Sequence, residues 1–447
     1  MRLALLPLFY VAPLAAQDLA ISHVTVVDVS TGARLTDRTV TIRGDRILAV
    51  APSKDTKIAS TARVIDGTGK YLIPGLWDMH VHVFAWERKD LEQFIRYGVT
   101  GVRDLGGVPD SINAISRDIA AGHLLGPRIV MAGRTLDQGG APHIASVRTA
   151  EEGRAAVRAN AAAGAKVIKV WSNIPRDAFQ GAADEAKRMG LPVVGHISLW
   201  TGLIGAVDAG QRDIEHTITF PVAFSRDSGA LFASLRQQAA AAKNPGAIFS
   251  ALIAADAAAL TTRDEGTAKR ATELLAKRNV YVCPTLTDSR AYTIVQDSVR
   301  TDARFKLFAA DLQARWTEEA MGMSNADIAG LKTLFPAALR LVGQLHKAGV
   351  PLLAGTDAGS LYDFPGSDLH NELALMVRAG LTPLEALRTA TTNPARAMRM
   401  ETETGGVAAG MLADLLILSA DPLVDIRNTT RIAGVVAGGR YLEGGKY

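Results

Sequence analysis

The chain has 447 residues, a formal net charge of +4, 48% hydrophobic residues and 21% charged residues. That composition excludes a disordered chain, and the length holds one large domain plus a smaller one. The small charge, with no clustered basic stripe, excludes nucleic acid as an expected partner.

Residues 1–16 read as a secretory signal peptide. Arg2 precedes an apolar stretch, and Ala15 and Ala16 supply small residues for a cut near Ala16, although Leu14 is bulky for its position. The stretch falls far short of the roughly 20 residues of a membrane anchor, so no membrane span is expected once the signal is removed. The expected location is secreted or periplasmic. Cys283 is the single cysteine. No internal disulfide is then available, and export to an oxidising space suits such a chain. Its setting in VYVCPTL predicts a buried, inert thiol rather than a nucleophile.

Residues 17–74 alternate like antiparallel strands. AISHVTVVDV, TVTIRGDRILAV and ARVIDGTGKYLI are separated by turn residues such as Gly44–Asp45 and Gly67–Thr68. Residues 401–447 read the same way, through ADLLILSADP and IAGVVAGGRYLEGG. One small β-sandwich built from both chain ends is the simplest account. Residues 75–400 would be inserted between its halves.

Within that middle, strand and helix patterns alternate. The runs at 76–83, 99–105, 128–134, 167–172, 192–197, 213–218, 280–286 and 351–357 number eight. Eight parallel strands close a (β/α)8 TIM barrel, so the expected class is α/β. Thr149 and Glu152 predict a capping box opening one crossover helix. The stretches 220–279 and 289–349 read as helical insertions, either pocket walls or padding outside the barrel.

Six polar residues interrupt or end these apolar runs. GLWDMHVHV carries His80 and His82. Two apart on a strand, they share a face, and imidazole suits zinc and related metals. With nine histidines in the chain, one such pair arises readily by chance. AKVIKVWSN carries Lys169 inside an apolar strand, where burial disfavours the ammonium form. A neutral amine can add carbon dioxide to become a carbamate that bridges two cations; a buried salt bridge is the alternative. LPVVGHIS carries His196, RDIEHT carries His216, and VPLLAGTDAG carries Asp357. Singly, each histidine could be a hydrogen-bonded core residue and Asp357 a helix cap. Together they fall at strand ends in one order, which is the end that bears the active site of such a barrel.

The chain resembles the amidohydrolase superfamily, in its imidazolonepropionase-like and prolidase-like branch. The likeness is carried by LIPGLWDMHVHV, GVRDLGG, GPRIV, GAKVIKVWS, DIEH, LLAGTDAG, LHNELALMVRAGLTPLEALRTATTNPAR and ADLLILSADPLVDIRN. The resemblance implies two divalent metal ions, with zinc the default. His80, His82 and Asp357 would hold one and His196 and His216 the other. Carbamylated Lys169 and a water or hydroxide would bridge them. It implies hydrolysis of a small amide substrate, peptide-like or an N-acyl amino acid, with Asp357 moving the proton. A substrate carboxylate would need a cationic or histidine partner: His143 in GGAPHIAS first, Arg290 second. Tyr362 and His370 follow the last strand and could line the mouth, although His370 suits a helix start better. Arg103 and Asp104 are expected to pair with each other or with neighbours inside the barrel. His23, His123 and His346 read as structural.

Three rival readings stay open. One keeps a single metal, as in cyclic-amide hydrolases and deaminases, with Lys169 a structural cation. Another is an esterase or lactonase on the same site. A third is a catalytically silent barrel, against which all six ligands speak. Assembly into a homo-oligomer is also left open.

Overall fold

The alternating segments at the two chain ends build one sheet in the computed structural model, which describes residues 18–242, 245–298 and 301–444. The signal expected at 1–16 lies outside the described residues. Leu19–Val27 pairs antiparallel with Arg34–Arg43 and parallel with Tyr71–Pro74. On its other side Tyr71–Pro74 pairs antiparallel with Leu415–Leu418 from the far end of the chain. Ile21, Val40, Ile42, Ile47, Leu415 and Ile417 are buried in one cluster. The sheet curls until its edge meets residues 411–413: Ile47 N–H donates to Met411 O (2.9 Å) and Ala413 N–H to Asp45 O (2.8 Å). In hydrogen-bond terms, these terminal strands are a single curled sheet rather than two separate ones.

The middle of the chain is α/β with parallel strands. Among the described residues, Leu76–Val81, Val99–Asp104 and Arg128–Met131 form one three-stranded sheet. Ile144–Ser146, Thr135–Asp137, Ile168–Val170, Val193–Gly195, Gln211–Glu215 and Tyr281–Cys283 form a second, in that order. Seven of the eight expected runs contain a strand. The eighth, 351–357, makes only the single bridge Val282↔Leu352, with Val81↔Ala358 just beyond it. Pro351 has no N–H to give a ladder, and Asp357 turns out of extended geometry at φ 62°. Thr135–Asp137 and Ile144–Ser146 were not expected as strands, because the Gly139–Gly140 and Pro142 between them signal only loop.

The crossovers are helices. Ala150–Ala162 opens with the expected capping box: Glu152 N–H donates to Thr149 Oγ1 (3.3 Å), and Thr149 N–H to Glu152 Oε2 (2.9 Å). The insertions are helical too, chiefly Ser228–Ala241, Pro245–Ala259, Glu265–Lys277, Leu286–Ser298, Ala310–Gly322 and Asn325–Lys347. Among the described residues no helix is long and apolar enough to cross a membrane. Parallel pairing puts the C-terminal ends of the strands on one side, and there the polar residues collect.

Candidate metal centre and active site

His80 lies near the end of Leu76–Val81 and His82 just beyond it. Their Nε2 atoms each lie 3.1 Å from Asp357 Oδ1. Backbone pairing delivers Asp357 to that point. Asp357 N–H donates to His80 O (2.8 Å), and His82 N–H to Ala358 O (2.8 Å). The Thr356 hydroxyl donates to Asp78 Oδ2 (2.6 Å), a second tie between the same two segments. The approach is close enough to demand glycine. A Cβ on Gly355 would fall 2.5 Å from Cys283 Sγ and 2.9 Å from His80 N, and one on Gly359 2.8 Å from His82 Cβ.

His196 follows Val193–Gly195, and His216 follows Gln211–Glu215. The His216 ring centroid is 4.8 Å from that of His80 and 4.8 Å from that of His196. Lys169, fully buried on Ile168–Val170, brings Nζ to 3.5 Å from His80 Nε2. The structure thus gathers all six expected ligand residues at one place.

Three of the imidazoles are held from behind. His80 Nδ1 lies 2.8 Å from Glu215 Oε2, His196 Nδ1 2.9 Å from Ser172 Oγ, and His216 Nδ1 2.7 Å from Thr285 Oγ1. Such partners orient a ring and leave its other nitrogen free to bind a cation. Asp357 Oδ1 and His82 Nδ1 are buried with no hydrogen bond among the described residues. An oxygen 3.1 Å from two ring nitrogens yet misaligned for hydrogen bonding fits a cation placed between them. His80, His216 and Asp357 offer ligand atoms within 4.8 Å of one another. His80, Glu215 and Cys283 do so as well, but there Glu215 is already engaged, and burial pushes the thiol well above its ordinary range.

Protonation states agree with metal-ligand chemistry. Burial drives His80 and His196 well below the ordinary imidazole range, reinforced by the Lys169 charge. His216 is pushed down to about 4, again chiefly by burial. Burial also lowers Lys169. For Asp357 burial works against ionisation, but the imidazoles of His80, His82 and His216 outweigh it and hold the carboxyl below its usual range.

Behind this layer Arg103 is fully buried. It donates to Met79 O (2.7 Å), Asp213 Oδ2 (2.6 Å) and Glu215 Oε1 (2.7 Å). It does not pair with Asp104, which instead accepts from Val83 N–H (2.8 Å). Glu215 was not among the residues expected from the sequence, although a carboxylate directly before His216 in RDIEHT is a visible signal.

The amidohydrolase family pattern matches residues 71–442. The chain belongs to the amidohydrolase family. Ochratoxinase from Aspergillus niger is 22% identical over 441 aligned residues, covering 83% of this chain and 76% of that protein. A candidate prolidase from Bifidobacterium longum superposes with a TM-score of 0.71 at 27% identity, covering 97% of each chain. A Xaa-Pro dipeptidase with bound methionine in its active site superposes at 0.69 with 20% identity, covering 96% of this chain and all (100%) of that one. This amidohydrolase is a hydrolase acting on carbon–nitrogen bonds.

A cavity of about 720 Å³ opens over the site, touching His196, His216 and Asp357. His143 stays beside it: its ring stacks on Phe84 (4.8 Å) and meets Trp171 edge-on (6.1 Å). Arg290 does not line the cavity. Asp288, Ser289 and Tyr292 of the same helix do, and the helical turn aims Arg290 away from that face. Tyr362 does not line the mouth either. Its φ of 65° turns it into a cluster with Phe305 (5.5 Å), Trp316 (5.4 Å) and Phe364 (5.7 Å). His370 is structural, bonded to Thr429 Oγ1 (2.9 Å) and donating to Tyr97 O (2.8 Å). His23 pairs with Asp37 and His346 with Glu385, both on the periphery. His123 lies at an exposed turn after helix Pro109–Ala120.

Proposed function

We propose that this amidohydrolase is an exported enzyme that binds two divalent metals, zinc by default, and cleaves the amide bond of a small peptide-like or N-acyl amino acid substrate. The observation that carries the reading is Lys169. It is a fully buried amine in the middle of Ile168–Val170, with Nζ 3.5 Å from His80 Nε2 and its charge acting on His196 and His216. Burial favours its neutral form, which can add carbon dioxide to give an anionic carbamate. That anion is the bridging ligand two cations would need.

The scaffold reading is a closed (β/α)8 barrel. Closure is supported at both seams: Lys166 N–H donates to Met131 O (3.0 Å), while the eighth run is tied to Leu76–Val81 by Met79 N–H to Ala354 O (2.9 Å) and to Tyr281–Cys283 by the Val282↔Leu352 bridge. Relatives named for prolidase and dipeptidase activity support an amide as substrate.

His80, His82 and Asp357 would hold one ion, and His196 and His216 the other. When bound, the metals polarise the scissile carbonyl and acidify the attacking water. Asp357, held ionised, takes that water's proton at its carboxylate and passes it to the leaving nitrogen. Glu215, Ser172 and Thr285 keep three imidazoles in register. A one-metal site is the second reading, favoured because His80, His216 and Asp357 alone already converge.

Metal content of protein purified without chelator tests both readings. About two ions per chain are expected, falling in Lys169→Ala together with hydrolysis of dipeptides and N-acyl amino acids. One ion per chain, unchanged in that variant, would replace the two-metal reading with the mononuclear one.

A further inference from the structure

The cavity is larger than a dipeptide needs, and most of its wall lies away from the candidate ligands. Its volume of about 720 Å³ is in the range that encloses a drug-sized molecule. The inner end is His196, His216 and Asp357; the outer end reaches the surface among exposed Glu265, Arg340 and Gln344. Between these ends the wall comes from the helical insertions. Phe220, Phe224, Leu252, Ile253, Phe335 and Leu341 line it from helices Phe220–Phe224, Pro245–Ala259 and Asn325–Lys347. Ala259 and Ala338 line it too, and larger side chains there would fill it.

The charged groups along the middle of this corridor already have partners. Asp256 accepts from Thr219 N–H (2.7 Å) and Val222 N–H (3.2 Å). Arg263 is paired with Glu265 (2.7 Å) and Gln344 (3.1 Å). Asp288 belongs to the inner end, where it faces Asp363 and Asp357. Between its two ends the corridor therefore offers an occupant mainly apolar contact, with the Arg340 guanidinium at the outer mouth and Asp137 at the inner end. Protein interiors are close-packed, and an apolar void of this size forfeits contacts that an apolar guest would restore.

We infer that the substrate carries a long, uncharged acyl chain that runs from the scissile amide through this corridor towards the surface, so that long-chain N-acyl amino acids are preferred over acetylated ones and over dipeptides. This rests on reading the His80–Asp357 site as an amide hydrolase. Each methylene buried in the corridor raises kcat/KM by up to about fourfold until the space is filled.

The test uses acetyl-, hexanoyl- and lauroyl-amino acids with the enzyme as purified, alongside direct binding of laurate by displacement of a fluorescent fatty-acid analogue. The expected result is a kcat/KM that climbs with chain length, and laurate binding. In Ala338→Trp the lauroyl-to-acetyl ratio of kcat/KM falls by at least about tenfold and laurate binding weakens. Ala337→Phe, at a less buried lining position, is run in parallel, with a melting curve for each variant to show that it folds. A flat chain-length series, or laurate binding indifferent to both variants, overturns the inference. Dipeptide hydrolysis without laurate binding overturns it too, while leaving the amide-hydrolase reading intact. Laurate binding blocked by the variants, with no amide cleaved, supports the corridor and overturns the amide-hydrolase reading instead. Preference for bulky aromatic acyl groups over lauroyl overturns the assignment of a flexible chain.

Discussion

At the residue scale, the histidines depend on groups outside the candidate ligand set. Glu215 holds His80 through Nδ1 at 2.8 Å, and Arg103 holds Glu215 at 2.7 Å. The carboxylate can only accept, so it fixes the proton on His80 Nδ1 and leaves the Nε2 lone pair facing Asp357. Glu215→Gln keeps the shape but removes the charge that makes His80 a strong donor of that lone pair. Metal affinity or kcat is expected to fall about 10- to 100-fold, read by metal titration and steady-state kinetics. Unchanged values in a folded variant would reduce Glu215 to a packing residue. Five of the six candidate ligand residues were legible because each is a polar group set in or at the end of an apolar run, and His216, in the polar run RDIEHT, by its place in the same order. Arg103 and Glu215 were less so, because their pairing joins positions 112 residues apart, and only the closing of the strands brings them together.

At the scale of elements, the short helix Phe220–Phe224 is held by a residue of another helix. Asp256, on Pro245–Ala259, accepts from Thr219 N–H and Val222 N–H at the start of that helix. Burial pushes its carboxyl up to about 7. A folded-state value above the unfolded one gives a stability contribution that is full below the unfolded value near 3.8 and is lost as pH rises through about 7. Asp256→Asn keeps an acceptor for the backbone and does not titrate. Its melting temperature should fall less than that of the wild type between pH 5 and pH 8, and parallel curves would show that Asp256 does not titrate as buried. The elements themselves were legible in proportion to their local character. Six of the seven strands announce themselves as apolar runs, and the capping box at Thr149 and Glu152 is a four-residue signal. The eighth run is apolar too, but Pro351 and the turn at Asp357 leave it bridges rather than a ladder. The insertions read as helical, yet the cavity they enclose did not, since its wall joins helices spread from Phe220 to Gln344.

For the whole molecule, the ends and the middle of the chain are fastened at the strand that carries His80. Tyr71–Pro74 pairs with Leu415–Leu418, and Gly75 N–H donates to Asp414 O (2.8 Å) immediately before Leu76 begins. Arg128 donates to Asp414 Oδ2 (2.6 Å) from the third parallel strand. The candidate ligands are drawn from five segments between His80 and Asp357, so a bound ion ties together most of the chain. An unfolded chain offers no such arrangement, and binding to the folded state alone stabilises by about 4 kcal/mol at a thousandfold excess over Kd. Removing metal with a chelator at pH 7.5 should therefore lower the melting temperature by several degrees, and adding zinc back should restore it. The pH dependence has a definite sign. His80, His196 and His216 have folded-state values below the ordinary 6.5, with His216 down to about 4. They are neutral when folded and gain protons on unfolding once the pH drops below about 6.5, so their contribution is lost as the pH falls from there towards 4. Protons also compete with metal for the same nitrogens. The gap between metal-loaded and chelated melting temperatures should thus be widest near neutrality and close on acidification. A chelator with no effect at pH 7.5, on protein shown to contain metal, would place that metal somewhere other than these six residues.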